Sequence, residues 1–117
     1  MLPRNLRLTK KSAFAATYRV KHSVYKGGIA LFAGISKKND DDITRVGFVV
    51  SKKTHKRAVK RNRLKRLMRE SYRLLLKEGN VGNSQKYLSI IFVGHERAIG
   101  KSFNEMKSIV EKLLGEV

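Results

Sequence analysis

Apolar positions along the chain change their period several times, and each change marks an element. Phe14 and Tyr18 are four apart, with Ala13, Thr17 and Val20 beside them. That spacing predicts a short helix over residues 10–19, with Thr9 as its cap. The opening residues 1–11 show no period, and Pro3 biases Leu2 away from helix, so an extended or irregular stretch is expected there. Residues 20–25 suit a short strand or an extended arm, and Gly27-Gly28 a turn or bulge. Residues 29–35 (IALFAGI) and 43–51 (ITRVGFVVS) are strand-like. In the second, Val46, Phe48 and Val50 share one face by alternation, and Val49 adds bulk to the other. The polar stretch 36–42 is expected to close these two strands into a hairpin.

The longest pattern follows. Leu64, Leu67, Met68, Ser71 and Leu75 recur at spacings of three and four, with Leu74 and Tyr72 at the stripe's edges. This predicts a helix that Thr54 could cap and Gly79 stops. Lys60 falls among the stripe positions, so either its aliphatic stem lies along apolar surface or the regular helix begins there. A polar loop, 79–86, leads to a strand at 87–93 (YLSIIFV) ended by Gly94. After a connection at 95–101, Ser102-Phe103-Asn104-Glu105 fits a capping box. It opens a helix with Met106, Ile109, Val110, Leu113 and Leu114 on one face and Gly115 at its end.

The sum is an α/β chain of αβββαβα order, a small sandwich in which helices cover one face of a mixed sheet. Strand–helix–strand over 43–93 implies a crossover between parallel, adjacent strands, right-handed by the ordinary rule. No repeat or linker divides the 117 residues, so a single domain spanning 1–117 is expected.

Charge changes the picture. Lys and Arg outnumber Asp and Glu by 27 to 9, a net charge of +18. Residues 52–73 alone hold eleven basic residues against Glu70, and residues 1–26 hold seven against none. On the long helix Arg61, Asn62, Lys65, Arg66, Arg69 and Arg73 fall opposite the apolar stripe. A helix bound to a core on one side and densely cationic on the other suits a polyanion backbone, and nucleic acid is the first candidate partner. An anionic membrane is set aside, because several elements share one core and no apolar run approaches a bilayer span. The absence of Cys excludes disulfides and Cys-based metal or redox sites. The N-terminus lacks an apolar signal core, so a cytoplasmic protein is expected.

Catalytic chemistry is not legible. His22, His55 and His95 are scattered without ligand spacing. The acidic run Asp40-Asp41-Asp42 lies in a loop, where adjacent carboxylates diverge and solvate. His55, inside the basic block, suits phosphate contact better than proton relay. Nothing resembles a phosphate-cradling glycine loop or a nucleophile elbow. The residues therefore describe binding: Arg for forked phosphate contacts, Lys for point charge, Asn62 for a placed hydrogen bond. Phe14 and Tyr18 are open to two readings, core anchors or the lining of a groove where unpaired nucleotides stack.

At these residues the chain resembles the protein component of bacterial ribonuclease P. The match centres on Arg45-Val46-Gly47-Phe48-Val49-Val50-Ser51-Lys52-Lys53 and on Ala58-Val59-Lys60-Arg61-Asn62-Arg63-Leu64-Lys65-Arg66-Leu67-Met68-Arg69-Glu70. The opening Arg7-Leu8-Thr9-Lys10-Lys11, with Phe14 and Tyr18, is similar to the family's first helix. The resemblance implies a single α/β sandwich whose central crossover is left-handed, replacing the ordinary rule. It also implies a protein that does not cut but supports a catalytic RNA in removing the 5′ leader of precursor tRNA. On that implication Arg61, Asn62, Arg63, Lys65, Arg66 and Arg69 contact the catalytic RNA, with Lys52 and Lys53 extending the surface. Phe14 and Tyr18 meet the single-stranded leader. Mg²⁺ is held mainly by the RNA, the partners are the catalytic RNA and precursor tRNA, and homo-oligomerisation stays open. The chain departs from the family pattern at Thr54-His55-Lys56-Arg57, where a Gly-Asn pair is usual, and at Gly94-His95, where Ala-Arg is frequent. His55, Lys56 and Arg57 are expected to add phosphate contacts. The alternatives are a small structural RNA-binding protein of ribosomal type and, more remotely, a duplex-DNA binder. The latter is disfavoured because the helix carries few base-reading side chains.

Overall fold

The structure, a computed structural model, describes residues 2–39 and 41–117. A four-stranded mixed sheet is its centre: β1 (His22–Lys26), β2 (Ile29–Ala33), β3 (Arg45–Val49) and β4 (Ser89–Gly94), in spatial order β1-β2-β4-β3. The helices are α1 (Lys11–Arg19), α2 (Ala58–Glu78) and α3 (Phe103–Glu116). β1 and β2 form a hairpin with Lys26 opposite Ile29. Gly27 and Gly28 make its two-residue turn at φ 59° and 89°. Left-handed backbone at both positions matches the twist of the flanking strands and strongly favours glycine.

The expected hairpin between the second and third strands does not form. β4 lies between them, antiparallel to β2 and parallel to β3. The reason is in β4 itself: Ile90, Ile91 and Phe92 are all fully buried. A strand apolar on both faces gains most from a neighbour on each side and a cover on each face. β3, with exposed Arg45 and with Gly47, takes the edge. The described residues between β2 and β3 therefore belong to a connection across the sheet's end, with Thr44 Oγ1 donating to the Tyr87 carbonyl at 2.6 Å. Asp40, part of the acidic run, lies outside the described residues. The β3–α2–β4 crossover between adjacent parallel strands stands as expected, with Val46 opposite Ile90 and Phe48 opposite Phe92.

Helices cover both faces of the sheet, not one. Alternation along β4 sends Ile90 and Phe92 to one side and Ser89 and Ile91 to the other. On the first side α2 and α3 close the main core: Phe48 stacks on Phe92 at 5.5 Å, and Tyr72 meets both rings. Leu64, Met68, Leu75, Met106, Val110 and Leu113 fill it. On the second side α1 covers the otherwise exposed half of β4. The Thr17 and Ser89 hydroxyls bond at 2.6 Å, and Tyr18 meets Phe32 edge-on at 5.0 Å. The single apolar stripes of α2 and α3 gave no hint of a second covered face.

Local details differ from expectation at the helix ends. Thr9 does not cap α1, whose first turn follows Lys10 without a side-chain cap. Thr54 does not cap α2 either, since the helix begins after Arg57. α3 has the expected capping box, Ser102 and Glu105 exchanging side-chain-to-backbone bonds at 3.2 and 3.1 Å, but it runs through Gly115. The N-terminal segment is irregular yet pinned. Leu2 is buried in the main core, Arg4–Leu6 form a 3₁₀ turn, and the Leu8 N–H donates to the Val46 carbonyl at 2.9 Å.

Candidate nucleic-acid interface

α2 is fixed to the core by Leu64, Met68, Ser71, Tyr72 and Leu75. With 100° per residue, its remaining positions spread into three regions. Asn62 and Arg66 form an exposed crest, joined by Arg63. Lys60 and Arg63 flank it toward the 3₁₀ turn Glu96–Ala98 and line a hollow with Leu67 and Ile99. Lys65 and Arg69 flank it on the other side, half-buried, and face the N-terminal segment. The cations thus wrap around the helix, where the sequence suggested one stripe.

Arg61 has a different employment. Its Nη1 donates to the carbonyls of His55 and Lys56 at 2.7 and 3.0 Å. These bonds tie down the turn that leads from β3 into α2. The Arg57 N–H donates to His55 Nδ1 at 3.1 Å, and the Ser51 and Thr54 hydroxyls lie 3.2 Å apart. His55 is therefore used first to shape this turn. Lys52, Lys53, Lys56 and Arg57 are exposed along it, the last three in a shallow bowl that also holds Glu96. The acidic neighbour tempers the field there.

Phe14 and Tyr18 are half-buried on α1, each packed by one edge and open at the other. The Phe14 ring lies on Gly47: an added Cβ there would stand 2.6 Å from its Cε1 and Cζ atoms. Glycine at this β3 position is what lets the ring rest on the strand. Tyr18 leans on half-buried Phe32. Burial pushes the Tyr18 hydroxyl's pKa up, so it stays a neutral hydrogen-bonding group at neutral pH. Farther along the same sheet face, Tyr25 is 52% exposed and its ring lies 6.0 Å from that of His95. His95 thus adjoins an aromatic surface. These rings can stack on unpaired bases, since every base presents a π-face.

Phe14 also opens onto a cleft of about 180 Å³ lined by Leu2, Arg7, Leu8, Thr9, Val46, Phe48, Lys65 and Arg69. Here the structure joins predicted site residues some fifty positions apart in the sequence: Phe14 of the aromatic surface with Lys65 and Arg69 of the basic helix. Tyr18 does not reach this cleft and belongs with Phe32. Arg7, Leu8 and Phe32 are members that sequence reasoning did not single out as site residues. Phe32 was findable from its alternation within IALFA, had a second covered face been foreseen. Arg7 and Leu8 had no periodic signal at all.

Among the described residues no three His, Asp or Glu side chains gather where they would hold a metal ion. No described helix is long and apolar enough to cross a membrane.

A family model described as Ribonuclease P matches residues 2–117. Among curated proteins the chain is 33% identical over 108 residues to the "Ribonuclease P protein component" of Clostridium kluyveri, covering 92% of this chain and 90% of that one. It is 47% identical over 72 residues to the protein of the same name from a Marinomonas species, covering 61% of this chain and 52% of that one. Among solved structures, the Staphylococcus aureus RNase P protein superposes with a TM-score of 0.73 at 26% identity, covering 93% of this chain and 92% of that one.

Proposed function

The chain belongs to the ribonuclease P protein family, and on that premise we propose that it is the RNA-binding subunit of a ribonuclease P whose cleavage is performed by RNA. The observation that carries the proposal is the cleft in which Phe14, a half-open ring of the aromatic surface, meets Lys65 and Arg69 of the basic helix, whose outward side exposes Asn62, Arg63 and Arg66. In this reading Asn62, Arg63, Lys65, Arg66 and Arg69 hold backbone phosphates of the catalytic RNA. Lys52, Lys53, Lys56 and Arg57 continue that surface, and Arg61 holds their turn in shape while its remaining N–H groups stay free for phosphate. Phe14 and Tyr18, with Phe32, receive bases of the single-stranded 5′ leader of precursor tRNA.

Among the described residues no three His, Asp or Glu side chains gather, so a Mg²⁺ ion at this surface would need RNA phosphates and water for most of its ligands. Mg²⁺ belongs to the RNA in this reading. The protein's part is positional and electrostatic. Bringing leader and catalytic RNA together opposes two polyanions, and a protein of net charge +18 offsets that repulsion. Productive Mg²⁺ binding then needs less free metal.

The test is leader cleavage of a precursor tRNA at low Mg²⁺ with the cognate catalytic RNA, with and without the protein, and with the protein alone. The expected result is cleavage at the mature 5′ end that requires the RNA and is raised by the protein. Cleavage by the protein alone would overturn the division of labour. Tight RNA binding with no gain in cleavage at any Mg²⁺ level would instead favour a purely structural RNA binder.

A further inference from the structure

We propose that the cleft between the N-terminal segment and α2 receives a single unstacked nucleotide of the catalytic RNA, its base on an apolar floor and its phosphate beside Lys65 and Arg69. This receptor presupposes the RNA-subunit role above and gives that contact a specific form. The space suffices: the cleft holds about 180 Å³, and an apolar cavity of about 150 Å³ accepts a benzene ring. Leu8, Phe14 and Phe48 supply apolar and aromatic contact.

A second feature suits a base rather than a plain hydrophobe. The Arg45 N–H bonds toward β4, to the Leu88 carbonyl at 3.0 Å, so by alternation Val46 and Phe48 turn their backbone groups outward. The Val46 carbonyl takes the Leu8 N–H, but the N-terminal segment then leaves the edge and offers Phe48 no hydrogen bond. The Phe48 N–H and carbonyl therefore face the cleft with no hydrogen-bond partner among the described residues, a donor and acceptor that complement a base edge.

Charge selects the same class of ligand. Arg7, Lys65 and Arg69 line the cleft, and among the described residues no acid does. Arg7 is braced by the Leu2 carbonyl at 2.9 Å, whereas Lys65 and Arg69 make no hydrogen bond or ion pair with other described residues. Apolar floor, open strand edge and unspent cations together fit a nucleotide. Lys65 and Arg69 sit on α2 beside the exposed Asn62 and Arg66, which assigns the nucleotide to the catalytic RNA. The leader's surface around Tyr18 and Phe32 lies on the α1 side of the sheet.

The test fills the cleft without touching its charge. Thr9 is exposed at the rim, and Thr9→Trp places an indole where the base would sit. The chain has no other tryptophan, so blue-shifted emission verifies the indole's burial. Full-length Thr9→Trp is expected to bind the catalytic RNA about tenfold more weakly, the worth of one stacked base, with a smaller loss of leader affinity, because Phe14 alone of the leader's rings borders the cleft. Unaltered affinity for the catalytic RNA would overturn the receptor while leaving the subunit role standing. Loss of leader affinity alone would overturn the assigned occupant. Failure of the wild-type protein to bind the catalytic RNA would overturn the subunit role, and the receptor with it. Independently of any variant, wild-type protein titrated with UMP, AMP and ribose 5-phosphate is expected to shift the Leu8 and Phe48 amide resonances with the two nucleotides only. Equal shifts with ribose 5-phosphate would reduce the cleft to a phosphate contact and overturn base recognition.

Discussion

Gly47 and Tyr72 show how single positions set the site. The Phe14 ring occupies the space a Cβ at residue 47 would take. Gly47→Ala must therefore lift the ring or shift β3, and overpacking of this kind costs roughly 1–3 kcal/mol. The expected outcome is a lower urea midpoint together with weaker leader binding, because the same ring serves core and surface. Gly47→Ala with unchanged stability and leader affinity would show that Phe14 does not rest on the strand. Tyr72 is nearly fully buried, and its hydroxyl accepts a hydrogen bond from Gln85 Nε2 at 3.0 Å. Burial pushes its pKa above the ordinary 10.0, with the Gln85 bond acting the other way. Its neutral form is thus favoured in the folded state, and that stability is fully present below pH 10.0 and lost as pH rises through the raised value. Denaturant midpoints measured across this alkaline range should fall for the wild type and fall less for Tyr72→Phe. Parallel profiles would remove Tyr72 from the alkaline transition.

α2 is a helix whose parts do different work, and substitutions along it should separate accordingly. Arg63 and Arg66 are exposed and without protein partners among the described residues. Replacing both by Ala should leave thermal unfolding unchanged and reduce the slope of log affinity against log salt by about 2, roughly one unit per lost phosphate contact. Arg61 is different, because its guanidinium holds the His55 and Lys56 carbonyls. Arg61→Ala should loosen the 51–57 turn, seen as faster amide exchange there, as well as weaken RNA binding. A triple reversal that includes Arg61 would confuse the two effects. At α3 the capping box is intact, so Ser102→Ala should cost about 1 kcal/mol in thermal or denaturant unfolding. RNA affinity should not follow, since α3 packs against the core and carries none of the proposed contacts.

Across the whole molecule, charge and topology cooperate. The two basic stretches, far apart in sequence, meet because the N-terminal segment pins itself beside β3 while α2 passes over the same edge. The four-strand mixed sheet with three helices agrees with the family that the match over residues 2–117 shows. With net charge +18 the folded protein repels itself at low ionic strength. Saturating catalytic RNA is therefore expected to raise its melting temperature, and more so at low salt than at high. A shift independent of salt would argue against phosphate contacts as the main source of affinity.

The sequence determined the elements and the sign of the surface. The 3.6 period located α1, α2 and α3 and short apolar runs located β2, β3 and β4, because each must turn an apolar face to a core, whereas residues 20–25 suited either a strand or an extended arm. The excess of Lys and Arg opposite the α2 stripe made nucleic acid the first candidate partner, and the Arg45 to Glu70 pattern pointed to the family. What residue spacing could not give was which faces meet. A hairpin between residues 29–35 and 43–51 was locally sensible, but burial of Ile90, Ile91 and Phe92 was worth more with β4 in the centre. The helix over Phe14 and Tyr18 was legible, but not the second sheet face it covers. Arg61 looked like any other cation on its arc until the turn before α2 brought two carbonyls to it. The cleft joining Leu8, Phe14, Phe48, Lys65 and Arg69 has no signature in the chain. Local pattern is fixed by neighbours three or four residues away, whereas these juxtapositions depend on the total burial that only the assembled sheet and helices can weigh.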